Sequence, residues 1–88
     1  PVDWYRDAEP LPQLPALARA VLDRHPLTME YASWTAVRSW SVEPLGLVLK
    51  AGAWYLVAIG RGKPRIFRIA SIRALAVRSD TCFERPKR

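Results

Sequence analysis

The chain has 88 residues, half of them apolar and four of them Trp, so it makes one small domain with a core of its own. It carries a formal charge of +6 with one Cys (Cys82) and one His (His25), which excludes an internal disulfide and a structural zinc site. No apolar run approaches the ~20 residues that cross a bilayer, and no leader-like segment opens the chain, so a cytoplasmic protein without membrane contact is expected.

Residues 1–10 are polar and irregular, with Trp4 and Tyr5 as candidate anchors onto the body. Leu14, Leu17, Ala18, Val21 and Leu22 then recur at helical spacing. Pro12 and Pro15 fit only a first turn and Pro26 forbids continuation, so a helix is predicted over residues 15–24. Arg24 and His25 place positive charge at its negative pole. From Leu27 the period changes to two, predicting a half-buried strand to Ala32 and a turn at Ser33-Trp34-Thr35-Ala36. A second strand is predicted over residues 37–42, broken by Pro44 and Gly46, and a short third over 47–49. Lys50-Ala51-Gly52 reads as a tight turn, with Gly52 free to take positive φ. Residues 53–59 are apolar on both faces and read as a central, doubly covered strand. A second glycine turn, Gly60-Arg61-Gly62-Lys63-Pro64, leads into strands at 65–69 and 72–77. One helix and five or so short strands predict a mostly β fold. A sheet this small hides its edges best by closing, so a small SH3/Sm-like antiparallel β-barrel is expected.

Charge is unevenly placed. Residues 44–79 hold Lys50, Arg61, Lys63, Arg65, Arg68, Arg73 and Arg78 and no Asp or Glu, while the rest is nearly balanced. A basic surface on a rigid sheet suits nucleic acid or a phosphorylated ligand; a merely solvated, solubility-promoting face is the alternative.

Three blocks carry a family resemblance: Val42-Glu43-Pro44-Leu45-Gly46-Leu47, Trp54-Tyr55-Leu56-Val57-Ala58, and Arg65-Ile66-Phe67-Arg68-Ile69-Ala70-Ser71-Ile72. In this order and spacing they resemble the WYL domain, and the helix before Tyr31 and the exit Phe83-Glu84-Arg85-Pro86 agree. The resemblance implies an Sm-like barrel from a bacterial transcription regulator, lying between a winged helix-turn-helix domain and a C-terminal extension. It further implies an effector-sensing module whose basic residues receive an anion, with nucleotides and single-stranded nucleic acid as examples. Arg68 matches a basic position of the family. A second such position is Ser71 here, and a third is Trp40, with Arg38 two residues earlier on the same face.

The expected ligand-binding residues are therefore Arg68, Arg38, Arg73 and Ser71, with Tyr31 and Trp40 as stacking platforms and Tyr55 at a pocket mouth. Core packing is the competing reading for the three aromatics. Arg65 reads as solvated, Arg61 and Lys63 as non-specific turn charges, and Glu43 has no nameable partner. His25 and the serines have no neighbouring nucleophile or base, so no enzyme, cofactor or metal is expected. The expected division is an arm at 1–13, the domain at 14–79 and a linker at 80–88, both ends continuing into a longer protein that binds DNA through its N-terminal domain. Two rival expectations are a ligand-free dimerisation or docking module, with Trp34 and Trp4 at its contact and a homodimer as its product, and a non-specific nucleic-acid-binding barrel.

Overall fold

A computed structural model describes residues 11–84; Trp4, Tyr5 and the end of the exit segment lie outside them. The element order is α1 (Leu14–Asp23), β1 (Leu27–Ala32), β2 (Val37–Lys50), β3 (Ala53–Gly60), β4 (Lys63–Arg68), a 3-10 turn (Ile69–Ser71) and β5 (Ile72–Val77). All pairings are antiparallel, in the order β4-β3-β2-β1-β5. The mostly β class with one helix is as expected, and no helix among the described residues is long and apolar enough to cross a membrane.

The helix starts with Pro15 in its first turn and stops where Arg24 turns left-handed at φ 57°. The amide N–H of His25 then donates to the Ala20 carbonyl and that of Arg24 to Val21, the paired bonds of a Schellman stop. The buried face is centred on Leu17 and Ala20, with Leu11, Leu14 and Val21 packed beside them. Leu22, expected on the stripe, is instead 70% exposed. Small Ala20 turns inward in its place and lets the helix lie close on the sheet.

The second and third expected strands are one. β2 runs for 14 residues: its first half pairs with β1, its second with β3, and the register shifts between Pro44 and Gly46. A proline lacks the N–H of a regular ladder but is tolerated at a bulge, where the extra residue bends the strand and sharpens its twist. Pro44 and Gly46 bend this strand rather than end it, and so curl the sheet.

The sheet does not close into the expected barrel. β4 and β5 are its two edges, joined only by the 3-10 turn. Three residues wound that tightly redirect the chain from the β3 edge to the β1 edge and leave no hairpin between the strands they join. Across the opening, the Arg68 amide N–H donates to the Tyr31 hydroxyl at 3.0 Å. Lys63, Pro64 and Arg65 on the open β4 edge oppose pairing with another chain. The inner face gathers Leu27, Met29, Val42, Leu56, Ala58, Phe67, Ile69 and Ile72 around Leu17 and Ala20. The other face of β3 (Tyr55, Val57, Ile59) is only half-buried, so this strand is covered on one side and not on both as expected.

Both glycine turns are two-residue loops with positive φ at each position, Ala51 51° with Gly52 79° and Arg61 54° with Gly62 78°. That is the type I′ hairpin, whose first position favours Asn. Ala51→Asn is expected to raise stability by about 0.5–1 kcal/mol, because Ala is strained in this region. A thermal melt should register a gain of about 2–8 °C, and an unchanged or lower Tm would contradict the turn assignment.

After β5 the chain returns to the helix end. The Arg78 amide donates to Pro26 O at 2.8 Å and the Phe83 amide to Arg24 O at 2.9 Å, with the Phe83 ring buried.

Candidate ligand-binding site

One recess of about 290 Å³ opens on the inner face near the β1–β2 hairpin, lined by Tyr31, Ser33, Arg38, Trp40, Arg65, Ile66 and Phe67. Register explains the grouping. Tyr31 pairs with Arg38 and Met29 with Trp40, so Tyr31, Arg38 and Trp40 share one face of the β1–β2 ladder. Phe67 comes across from β4 and sets its ring edge-on against Tyr31 (5.0 Å) and Trp40 (5.2 Å). Period two then places Arg65 on the same face as Phe67.

Trp40 is also the seat of two guanidinium groups. Arg61 lies 4.1 Å from the ring centroid and Arg65 5.0 Å, and the Arg65 Nε donates to Gly60 O at 3.0 Å. Trp40 lies against Gly60: a Cβ there would stand 3.0 Å from its Cε3. Neither Arg38 nor Arg65 makes an ion pair among the described residues, and no carboxylate lines the recess. Tyr31 accepts the Arg68 N–H and keeps its own O–H to donate. Two unneutralised guanidiniums, a free hydroxyl and two aromatic walls present a cradle for an oxyanion attached to a flat or apolar group.

Of the expected site residues, Tyr31, Arg38 and Trp40 meet here. Arg68 is exposed on the opposite face of β4, paired with Tyr55 of β3, and reaches the recess only through its backbone N–H. Ser71 sits half-buried in the 3-10 turn, and Arg73 is the residue left without a β1 partner where the β1–β5 register shifts. Sequence reasoning passed over Arg65 and Arg61. The signal for Arg65 was its two-residue spacing from Phe67, an inward-facing aromatic; nothing local connects Arg61 with Trp40.

Cys82 also meets His25, with Sγ 3.8 Å from Nδ1, while His25 Nε2 lies 4.0 Å from Asp23 Oδ2. His25 Nδ1 is 2.8 Å from the Thr81 carbonyl, which only accepts, so that nitrogen carries its hydrogen. It therefore offers the thiol no lone pair, and the Cys82 S–H points to Asp23 O at 3.6 Å instead. These contacts clasp the C-terminal segment to the helix end.

The chain matches the WYL domain model over residues 12–77. Among solved structures, proteasome accessory factor B/C (PafBC) of Arthrobacter aurescens is similar at TM-score 0.74 and 30% identity, over 81% of this chain and 12% of that one. The match thus spans a small part of that protein's length. No curated protein sequence matches.

Proposed function

The chain belongs to the WYL domain family, and from that premise we propose that it is the effector-sensing regulatory domain of a bacterial transcription factor. An anionic effector, a nucleotide or single-stranded nucleic acid, binds the inner recess. The observation that supports this is the pair Arg38 and Arg65, facing one cavity that holds no carboxylate. An oxyanion between them relieves their mutual repulsion and takes up fork-shaped hydrogen bonds, with Tyr31 donating a further one. Trp40 and Phe67 supply the apolar wall for a sugar or base. The effector acts on DNA binding elsewhere in the longer protein by favouring one arrangement of its domains, through a difference in affinity and nothing else.

The test is a fluorescence titration with a nucleoside phosphate and a single-stranded oligonucleotide at low and high salt. Arg65→Gln and Arg38→Gln should each weaken binding about 10–100-fold, the value of a lost hydrogen bond to a charged group. Arg68→Ala should weaken it only slightly, since that side chain lies on the other face. Loss of binding with Arg68→Ala but not with Arg65→Gln would move the site to the Tyr55–Arg68 face. Affinity that falls steeply with salt for every oligonucleotide, with all Arg variants alike, would leave only diffuse electrostatics.

One observation favours a second reading. Trp34, at the tip of the β1–β2 hairpin, is 97% exposed. A docking or dimerisation contact would bury it. Trp34→Ser would then abolish self-association while leaving ligand titrations unchanged.

A further inference from the structure

Trp40 gathers more positive charge than the lining of the inner recess accounts for. Arg61 does not line that recess, yet its guanidinium carbon stands 4.1 Å from the Trp40 ring centroid, closer than that of Arg65 at 5.0 Å. Two points at 4.1 and 5.0 Å from one centroid are at most about 9 Å apart. Arg38 completes the group, two residues before Trp40 on the same face of β2. Among the described residues the sheet has two carboxylates, Glu30 and Glu43, and both are on its other face, beside Ser39 and Ile59. None of the three arginines has an ion-pair partner among those residues.

The indole seat leaves these groups able to bind. A guanidinium stacked on an aromatic face keeps its N–H donors in its own plane, clear of the ring. Arg65 uses its Nε–H on Gly60 O at 3.0 Å and has both terminal amino groups left. The Arg61 guanidinium has no hydrogen-bond partner among the described residues, and its backbone is fixed in the type I′ turn at φ 54°. A single terminal phosphate carries a charge of about −1.5 to −2, which falls short of three guanidiniums. Two phosphoryl groups in series match the charge. With charge-assisted hydrogen bonds of ~2.7–2.9 Å at each end, they also bridge the span.

We infer that Arg61 is a ligand-binding residue of the inner site, and that the effector carries two phosphoryl groups in series. The first sits between Arg38 and Arg65, the second between Arg65 and Arg61 beside the Trp40 ring. This rests on the reading of the inner recess as the effector site and narrows it. A nucleoside monophosphate leaves Arg61 unused, whereas a nucleoside diphosphate or a 5′-phosphorylated dinucleotide engages all three arginines.

The test is calorimetric titration of the 88-residue chain with adenosine monophosphate, adenosine diphosphate and the 5′-phosphorylated deoxyadenosine dinucleotide. At least one of the two larger ligands should bind ~10-fold or more tightly than the monophosphate, as one further hydrogen bond to a charged group provides. Whichever gains more identifies the source of the phosphates, a free nucleotide or a nucleic-acid end. Arg61→Asn removes the guanidinium, and asparagine suits the left-handed backbone of the turn. It should bring the tighter ligand down to the level of the monophosphate, whose own affinity changes little. Monophosphate binding that neither larger ligand improves would overturn the inference and leave the inner recess standing. So would a loss in Arg61→Asn that is equal for all three ligands, or no loss for any. No binding of any of the three would overturn the recess reading and this inference together.

Discussion

Phe67→Ala is expected to cost about 3–5 kcal/mol of folding stability, a large share of the ~5–15 kcal/mol that holds a small domain together. The ring is 3% exposed, lies opposite Leu56 on the β3–β4 ladder, and meets both Tyr31 and Trp40 edge-on. Two such aromatic contacts contribute about 0.5–1.5 kcal/mol each beyond area burial. β4 is an edge strand with one neighbour, so little else fixes it over the opening of the sheet. Removing the ring opens a cavity under the ligand recess and frees Tyr31 and Trp40 to move. Phe67→Leu keeps most of the apolar volume and should cost about 1–1.5 kcal/mol, while losing both edge contacts. Urea unfolding of the two variants separates packing from recess geometry: Leu should fold nearly normally and still bind the anionic effector more weakly. A cost below about 1 kcal/mol for Ala would show that the ring is not a core element.

The curl of the sheet is what makes such a recess. β2 serves β1 with one half and β3 with the other, so residues on its inner face, Trp40 and Val42, look across at β4 rather than along a flat surface. The helix fills the middle of the concavity through Leu17 and Ala20, and the inner recess is the part nearer the β1–β2 hairpin. Closure by hydrogen bonds is unnecessary when Phe67, Ile69 and the Tyr31 hydroxyl span the opening.

Local chemistry made several of these elements readable from residues alone. Pro26 had to end the helix, the alternation from Leu27 to Ala32 had to be a strand, and Gly52 had to turn. What escaped was relational. Pro44 and Gly46 look the same in sequence whether they stop a strand or bend it; the choice depends on β3 arriving to pair with Gly46 through Lys50. Residues 53–59 are apolar on both faces, so alternation alone did not say which face the helix would cover. That ambiguity carried into β4, where it decided between Arg65 and Arg68 as the inward-facing cation. The approach of Cys82 to His25 spans 57 residues and has no local signature.

Gly60→Val should displace Trp40 and, with it, both guanidinium groups seated on that ring. Gly60 is not in a left-handed conformation, unlike Gly52 and Gly62, so its backbone accepts any residue; what it lacks is room. A Cβ would stand 3.0 and 3.1 Å from Cε3 and Cζ3 of Trp40 and 3.2 Å from a Val42 methyl carbon. Alanine asks those neighbours to give by a few tenths of an ångström. It also gains about 0.4–1 kcal/mol by restricting the unfolded chain, so its net effect should lie near zero. Valine adds two methyl groups against a half-buried indole and the buried Val42, and overpacking of that kind costs about 1–3 kcal/mol. Trp40 must then swing out, and Arg65 loses its aromatic seat while still bonded to the Gly60 carbonyl at 3.0 Å in the parent chain. The readout is the Trp40 indole N–H resonance together with effector affinity: near-parental in alanine, shifted and at least ~10-fold weaker in valine, as expected for loss of one charged hydrogen bond. A valine variant with a shifted indole signal but parental affinity would mean that Trp40 does not orient the arginines, and an unmoved indole signal would mean that Gly60 is not held against that ring.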